Sequence, residues 1–316
     1  MISWEEQESW TVGDIVRRMR EEEGMSLEQL SRGLCSAATL SRIEAGEREM
    51  DFLMASRVFQ RLGYKIDKFE IYASEEELTQ WDQRQRMEEL AAGGQTKALE
   101  QALGQYQESW GEEIKKKPLQ RQFIKYMEGL AKKQKKEWKE AEQLLRASAS
   151  ETISGWEKES ETAALGELEM KILSCLADVC EELGQNENAE TMRGMLIRNI
   201  GRKEERMRTY LALYTELLCK NAKKILEEKG SARTLRSVDQ CLQIMQEEKK
   251  ICHWPELLHI KSQCLETLFQ EGKKEKETML KSWQKTYYIY RLYERREEAE
   301  KIRTYLEEAY QWECII

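Results

Sequence analysis

Only two prolines, Pro118 and Pro255, interrupt 316 residues, and that scarcity limits the fold more than any other feature of the chain. Proline fixes φ, lacks an amide proton and breaks helix interiors, so a chain almost without it can run in long helices. Glu, Lys, Leu, Arg, Ala and Gln, all strong helix formers, fill most other positions. Charged residues make up 35% of the chain and hydrophobic ones 40%, a balance suited to helices with one buried stripe and one wet face. The expected fold class is all-α, and the length allows two domains. No apolar run approaches the roughly 18 residues of a membrane span. The N-terminus, Met1-Ile2-Ser3-Trp4-Glu5-Glu6, lacks the basic and apolar regions of a signal peptide. A cytoplasmic location without membrane association is therefore expected. The eight cysteines are scattered along predicted helices rather than spaced as a framework, and are expected as reduced thiols.

The N-terminal fifth carries the densest punctuation. Residues 12–22 read as an amphipathic helix with Val12, Ile15, Val16 and Met19 on one face, ended by Gly24. Ser26 and Gln29 form a capping box for a short helix carrying Leu27 and Leu30. Gly33-Leu34-Cys35 makes a tight turn; Ser36 then caps a helix over 37–44 that Gly46 stops. Asp51 opens a further helix with Phe52, Leu53, Ala55, Val58, Phe59 and Leu62. Two short helices joined by a glycine-containing turn and braced on either side fit a helix-turn-helix.

The string LSRGLCSAATLSRIEAG, residues 30–46, resembles the Cro/XRE class of λ-repressor-like helix-turn-helix domains. Its short turn with Cys35 is similar to that of the RRNPP peptide-pheromone receptors of Gram-positive bacteria. This resemblance implies a recognition helix starting at Ser36, with Ala37, Ala38, Thr39 and Arg42 facing base edges in the major groove of a double-stranded operator. It also implies phosphate contacts from Ser36, Arg17 and Arg48, and an ion pair between Arg20 and Glu44. Leu27 stands where the class usually carries a glutamine that can contact phosphate, so that contact is not expected from this side chain. The net charge of −8 does not favour DNA. Within residues 11–65, however, nine Arg and Lys offset nine Asp and Glu, and a neutral module of this kind needs a focused basic face and a second copy, which implies a homodimer.

From residue 74 onward helical patterns come in pairs, with breaks at Gly93-Gly94, Gly111, Pro118, Gly184-Gln185-Asn186, Gly201, Gly230, Pro255 and Gly272. Gly129 with Ala141, and Ala177 with Gly184 and Ala189, resemble the small-residue positions of tetratricopeptide repeats. Roughly five stacked hairpins and a closing helix near 294–312 are expected, giving a helix-turn-helix domain at 1–68 and a tetratricopeptide-like α-solenoid at 74–316. The RRNPP resemblance implies that the repeats form the dimer and that their concave face, lined by the first helix of each hairpin, binds a short signalling peptide. By spacing, Tyr126, Leu130 and Lys133 share one such face, Ser174, Asp178 and Glu181 a second, and Tyr210, Tyr214, Leu217 and Asn221 a third. Tyr126, Lys133, Asp178, Tyr214 and Asn221 are the candidate peptide contacts, and Asn221 can both donate to and accept from a peptide backbone.

Other constellations are weaker. Lys132, Lys133, Lys135 and Lys136 read as a solvated face, and Tyr287, Tyr288, Tyr290 and Tyr293 as inter-helix packing. Cys252, His253, His259 and Cys264 match no standard zinc spacing. No nucleophile–base motif or phosphate loop is present, so neither catalysis nor a cofactor is expected. The function expected is a peptide-controlled, quorum-sensing transcription regulator. Two rivals stand beside it: a ligand-independent dimeric repressor, and a repeat protein that sequesters a regulatory partner.

Overall fold

The structure, a computed structural model, describes residues 11–64, 74–153 and 165–312. Among them every regular element is an α-helix. The chain divides into two compact units, Met1–Asn199 and Ile200–Ile316. The expected change of domain between 68 and 74 lies outside the described residues.

In the first unit α1 (Val12–Glu22), α2 (Leu27–Ser31), α3 (Ala37–Glu44) and α4 (Phe52–Arg61) each begin at a side-chain cap: Thr11, Ser26, Ser36 and Asp51 accept from backbone amides of the first turn. Such a cap stabilises a helix by about 1 kcal/mol, a large share for helices of five to eleven residues that are too short to stand alone. Val16, Leu30, Leu34, Leu40, Leu53, Val58, Phe59 and Leu62 make the core of this bundle. The same core takes in Leu119, which belongs to a later helix.

That helix is one of six that complete the unit: α5 (Glu75–Ala92), α6 (Thr96–Lys116), α7 (Pro118–Gln134), α8 (Trp138–Thr152), α9 (Glu167–Glu182) and α10 (Asn186–Ile200). From α5 to α9 each helix packs on the next, and α5 meets α7 as α7 meets α9, the arrangement of stacked hairpins. Gly129 lets α7 approach α8, since a Cβ there would lie 2.9 Å from Leu145 Cγ. The break expected at Gly111 falls one residue earlier: α6 is two helical stretches joined by a kink at Trp110 (φ −121°, ψ 16°), the second running to Lys116.

The second unit holds α11 (Glu204–Thr209), α12 (Leu211–Lys220), α13 (Ala222–Lys229), α14 (Ser231–Glu247), α15 (Trp254–Gln270), α16 (Lys276–Leu292) and α17 (Arg296–Tyr310). Here α14 to α17 pack in sequence, and α12 lies on α14 and α15. The single helix face expected for Tyr210 to Asn221 does not exist as such. The helix breaks at Tyr210 (φ −111°) and again at Asn221 (φ −107°, ψ 14°). Asparagine favours such joints because its amide competes for backbone partners; nothing in the structure explains the break at Tyr210. Of the tyrosines in α16 and beyond, Tyr287 and Tyr290 are buried, while Tyr288 and Tyr293 are exposed.

Candidate DNA-binding site

The exposed face of α3 is set by what its other face buries. Leu40 and Ile43 enter the core and Glu44 is buried beside them, so the 3.6-residue period turns Ala38, Ser41 and Arg42 to solvent. Ser36, the N-cap, is exposed; Ala37 and Thr39 are half-buried. Ser36 Oγ accepts from the Thr39 amide (3.1 Å) and lies 2.9 Å from Thr39 Oγ1. The two hydroxyls sit together at a helix N-terminus, where backbone amides point outward and favour an anion.

Three arginines around this face meet acidic neighbours. Arg42 Nε lies 3.4 Å from Glu47, Arg17 Nε 3.2 Å from Glu21 and Arg18 Nε 2.9 Å from Glu22. All six side chains are more than half exposed, so each pair is worth under about 1 kcal/mol and yields readily to a stronger anion. Arg48, beyond the end of α3, is also exposed.

Arg20 and Glu44 are a different case. Arg20 Nε and Nη2 donate to Glu44 Oε1 (2.7 Å) and Oε2 (2.8 Å), while Nη1 donates to the Met25 carbonyl (2.9 Å). The side chains are 12% and 6% exposed. The hydrogen bonds it donates to Glu44 raise the Arg20 guanidinium above its ordinary value. This fork ties α1 to α3, and the two backbones nearly touch: a Cβ on Gly13 would stand 2.1 Å from the Ile43 carbonyl oxygen.

A second buried pair, which sequence reasoning missed, joins this bundle to the hairpins. Arg61 at the end of α4 and Glu169 on α9 are 3% and 4% exposed and lie 2.5 Å apart. Arg61 Nη1 also donates to the carbonyls of Leu30 (3.0 Å) and Arg32 (2.5 Å), at the turn before α3. Glu169 accepts further from Thr152 Oγ1 (2.6 Å) and the Gly166 amide (2.7 Å). Burial pushes its carboxyl up, but Arg61 and these donors outweigh it and hold the pKa below the usual range. Gly33, at φ +71°, fits against this joint, where a Cβ would meet the Thr152 carbonyl oxygen at 2.1 Å. The separation of 108 positions between Arg61 and Glu169 leaves no local signal of the pairing.

The candidate peptide contacts are spread over both units. Tyr126 is 8% exposed, Tyr214 4% and Asn221 3%, all within the cores, and burial raises both tyrosine hydroxyls. Lys133 Nζ pairs with Asp178 Oδ2 at 2.9 Å, and Arg193 reaches Asp178 Oδ1 at 3.1 Å, which brings α7, α9 and α10 together through charge. Among the described residues, no group of three or more His, Cys, Asp or Glu side chains is placed to hold a metal. No helix there is long and apolar enough to cross a membrane.

Among solved structures the chain is similar to PlcR of Bacillus thuringiensis in complex with the peptide PapR7 and DNA. The identity is 16% over 92% of this chain and 98% of that one, with a TM-score of 0.42. It is also similar to the SHP pheromone receptor Rgg2 of Streptococcus dysgalactiae (13%, 94% and 99%, TM-score 0.39). The apo competence regulator ComR of Streptococcus vestibularis gives 14%, 94% and 97%, with a TM-score of 0.39. No curated protein matches the chain. Residues 16–69, which span the N-terminal bundle, match the sequence model of the helix-turn-helix family.

Proposed function

We propose that the protein is a sequence-specific DNA-binding transcription regulator whose activity is controlled by a short peptide bound in its helical-hairpin region. The observation that carries the DNA half is the solvent-facing first turn and outer face of α3 within a helix-turn-helix domain. Arg42 reads a base edge, with Ala37, Ala38 and Thr39 offering methyl contacts, while Ser36, Arg17 and Arg48 meet phosphates. The DNA-binding domain spans 1–68 and the helical-repeat domain 74–316. The protein acts as a homodimer on a two-part operator, because one neutral module has too little charge to hold DNA alone. The peptide half rests on the sequence resemblance of residues 30–46 and on the stacked hairpins that follow. Tyr126, Lys133, Asp178, Tyr214 and Asn221 remain its proposed contacts, with Lys133 and Asp178 able to exchange their mutual pair for charges on a peptide.

The test selects an operator from random duplexes with the full chain, then titrates it in gel shifts with and without small peptides extracted from the native host. Selection of a defined, two-part sequence whose affinity changes with one peptide supports the reading. Failure to select any sequence overturns it.

A further inference from the structure

A cavity of about 340 Å³ lies within the first unit where α4 of the DNA-binding bundle faces α5, α7 and α9. Two arginines line it, Arg57 from α4 and Arg84 from α5, and neither forms an ion pair among the described residues. Arg57 Nη1 donates to Gln60 Oε1 (2.9 Å), while its Nε is sealed from solvent with no hydrogen-bond partner. Arg84, 5% exposed, donates to Tyr106 Oη (3.1 Å). That hydroxyl in turn donates to Gln120 (2.7 Å), whose amide donates to Gln80 (2.8 Å). Both guanidiniums therefore rest on neutral groups. Burial, then repulsion by Arg84, drags Arg57 down to about 10, against the more distant pull of Glu88, Glu169 and Glu167. Buried charges with no anion in direct contact are costly and are normally paired.

The rest of the lining contains the missing information. Lys171, Glu88 and Glu167 also face the cavity, but the two carboxylates are spent on the lysine, at 3.6 and 2.8 Å. Three cations against two anions leave one positive charge over, enough for one negative group and not two. Ser56 and Gln85 add neutral hydrogen-bonding groups, and the volume suits a molecule between an amino acid and a dipeptide in size. We propose that this cavity binds a small organic acid through a single carboxylate held by Arg57 and Arg84. A planar carboxylate takes two parallel bonds from a guanidinium fork, and the orphaned Nε of Arg57 is one of the donors it would satisfy. Since Arg57 belongs to α4 and Arg84 to α5, the bound acid bridges the DNA-binding bundle to the hairpins. Its effect on DNA binding rests on the function proposed above; its binding does not.

The experiment therefore contains no DNA. The full chain is titrated with N-acetylalanine, with N-acetyl-tetra-alanine and with the C-terminal amide of each, at ionic strength matched with sodium chloride. Thermal melting and tryptophan fluorescence are followed, with Trp81→Phe as control because Trp81 lines the cavity. The expected result is that the acids raise the melting temperature and change the fluorescence contributed by Trp81, while the amides and chloride do not. Stronger binding of the shorter acid identifies a free metabolite-sized ligand; stronger binding of the longer one identifies the terminus of a peptide. Arg57→Met is expected to weaken acid binding at least about tenfold and, without ligand, to melt above the parent, because an unpaired charge has gone. Arg57→Gln repeats the comparison with a polar side chain. Equal effects of acid and amide, a response to chloride alone, no response at millimolar acid, or destabilisation by both variants would each overturn the proposal.

Discussion

Arg42 and Arg20 lie on neighbouring helices of the bundle, yet the solvent around each gives it a different task. Arg42 is 60% exposed and contributes nothing to the core, so Arg42→Ala is expected to leave the melting temperature unchanged. On the proposed function the same change takes away a base contact worth about 1–3 kcal/mol per half-site, and gel shifts on the selected operator should show loss of specific binding. Unaltered affinity in a folded variant would remove Arg42 from the recognition face. Arg20 is 12% exposed and bonded to a Glu44 that is 6% exposed. Arg20→Ala strands that carboxylate, and the expected cost is roughly 3–5 kcal/mol, read from urea unfolding of the full chain. A cost under about 1 kcal/mol would mean that the fork behaves as a surface pair. The Arg20–Glu44 pair and the helix starts were legible because they sit in a short, heavily capped stretch where each helix start has its own side-chain mark. The hydrogen-bond partners of Ser26, Ser36 and Asp51 lie three residues away, well within what a sequence displays.

At the level of elements, α4 and α9 are coupled by the pair Arg61–Glu169, which no periodicity could announce. Glu169 has its carboxyl held below the ordinary value of 4.5. A depressed folded value means the pair stabilises the docked state fully above about 4.5 and loses that contribution as pH falls through the lower, folded value. Urea midpoints of the parent should therefore approach those of Glu169→Gln as the solution is acidified below that point, having exceeded them at neutral pH. Parallel midpoints across the whole range would contradict the assignment. Removing Arg61 alone leaves a buried anion at a cost of roughly 3–5 kcal/mol, whereas Arg61→Met with Glu169→Leu should recover most of it. Gly33→Ala should loosen the same joint by steric means, since its Cβ would meet the Thr152 carbonyl oxygen, and limited proteolysis between α4 and α5 would report it. The hairpin helices were legible for the opposite reason to the caps, through absence of breakers. That same argument located the kink of α6 to within a residue, at Trp110 beside Gly111, and failed at Asn221, where a polar side chain ends a helix no glycine interrupts.

For the whole molecule, the compact units do not follow the domains proposed from the sequence. The helix-turn-helix shares its core with Leu119 of α7 and its charge with Glu169, and both lie in Met1–Asn199. The parts named by sequence motif were thus readable, while the seam between them was not, because it is made of single residues far apart in the chain. The seam has a consequence for anyone exchanging parts between related regulators. A foreign DNA-reading head grafted onto this body would have to bring an arginine in place of Arg61 and a glycine in place of Gly33, or else leave Glu169 and Thr152 facing a misfit. Transplants that ignore those two positions should yield soluble heads on slack necks, able to find their sequence but deaf to whatever the body receives.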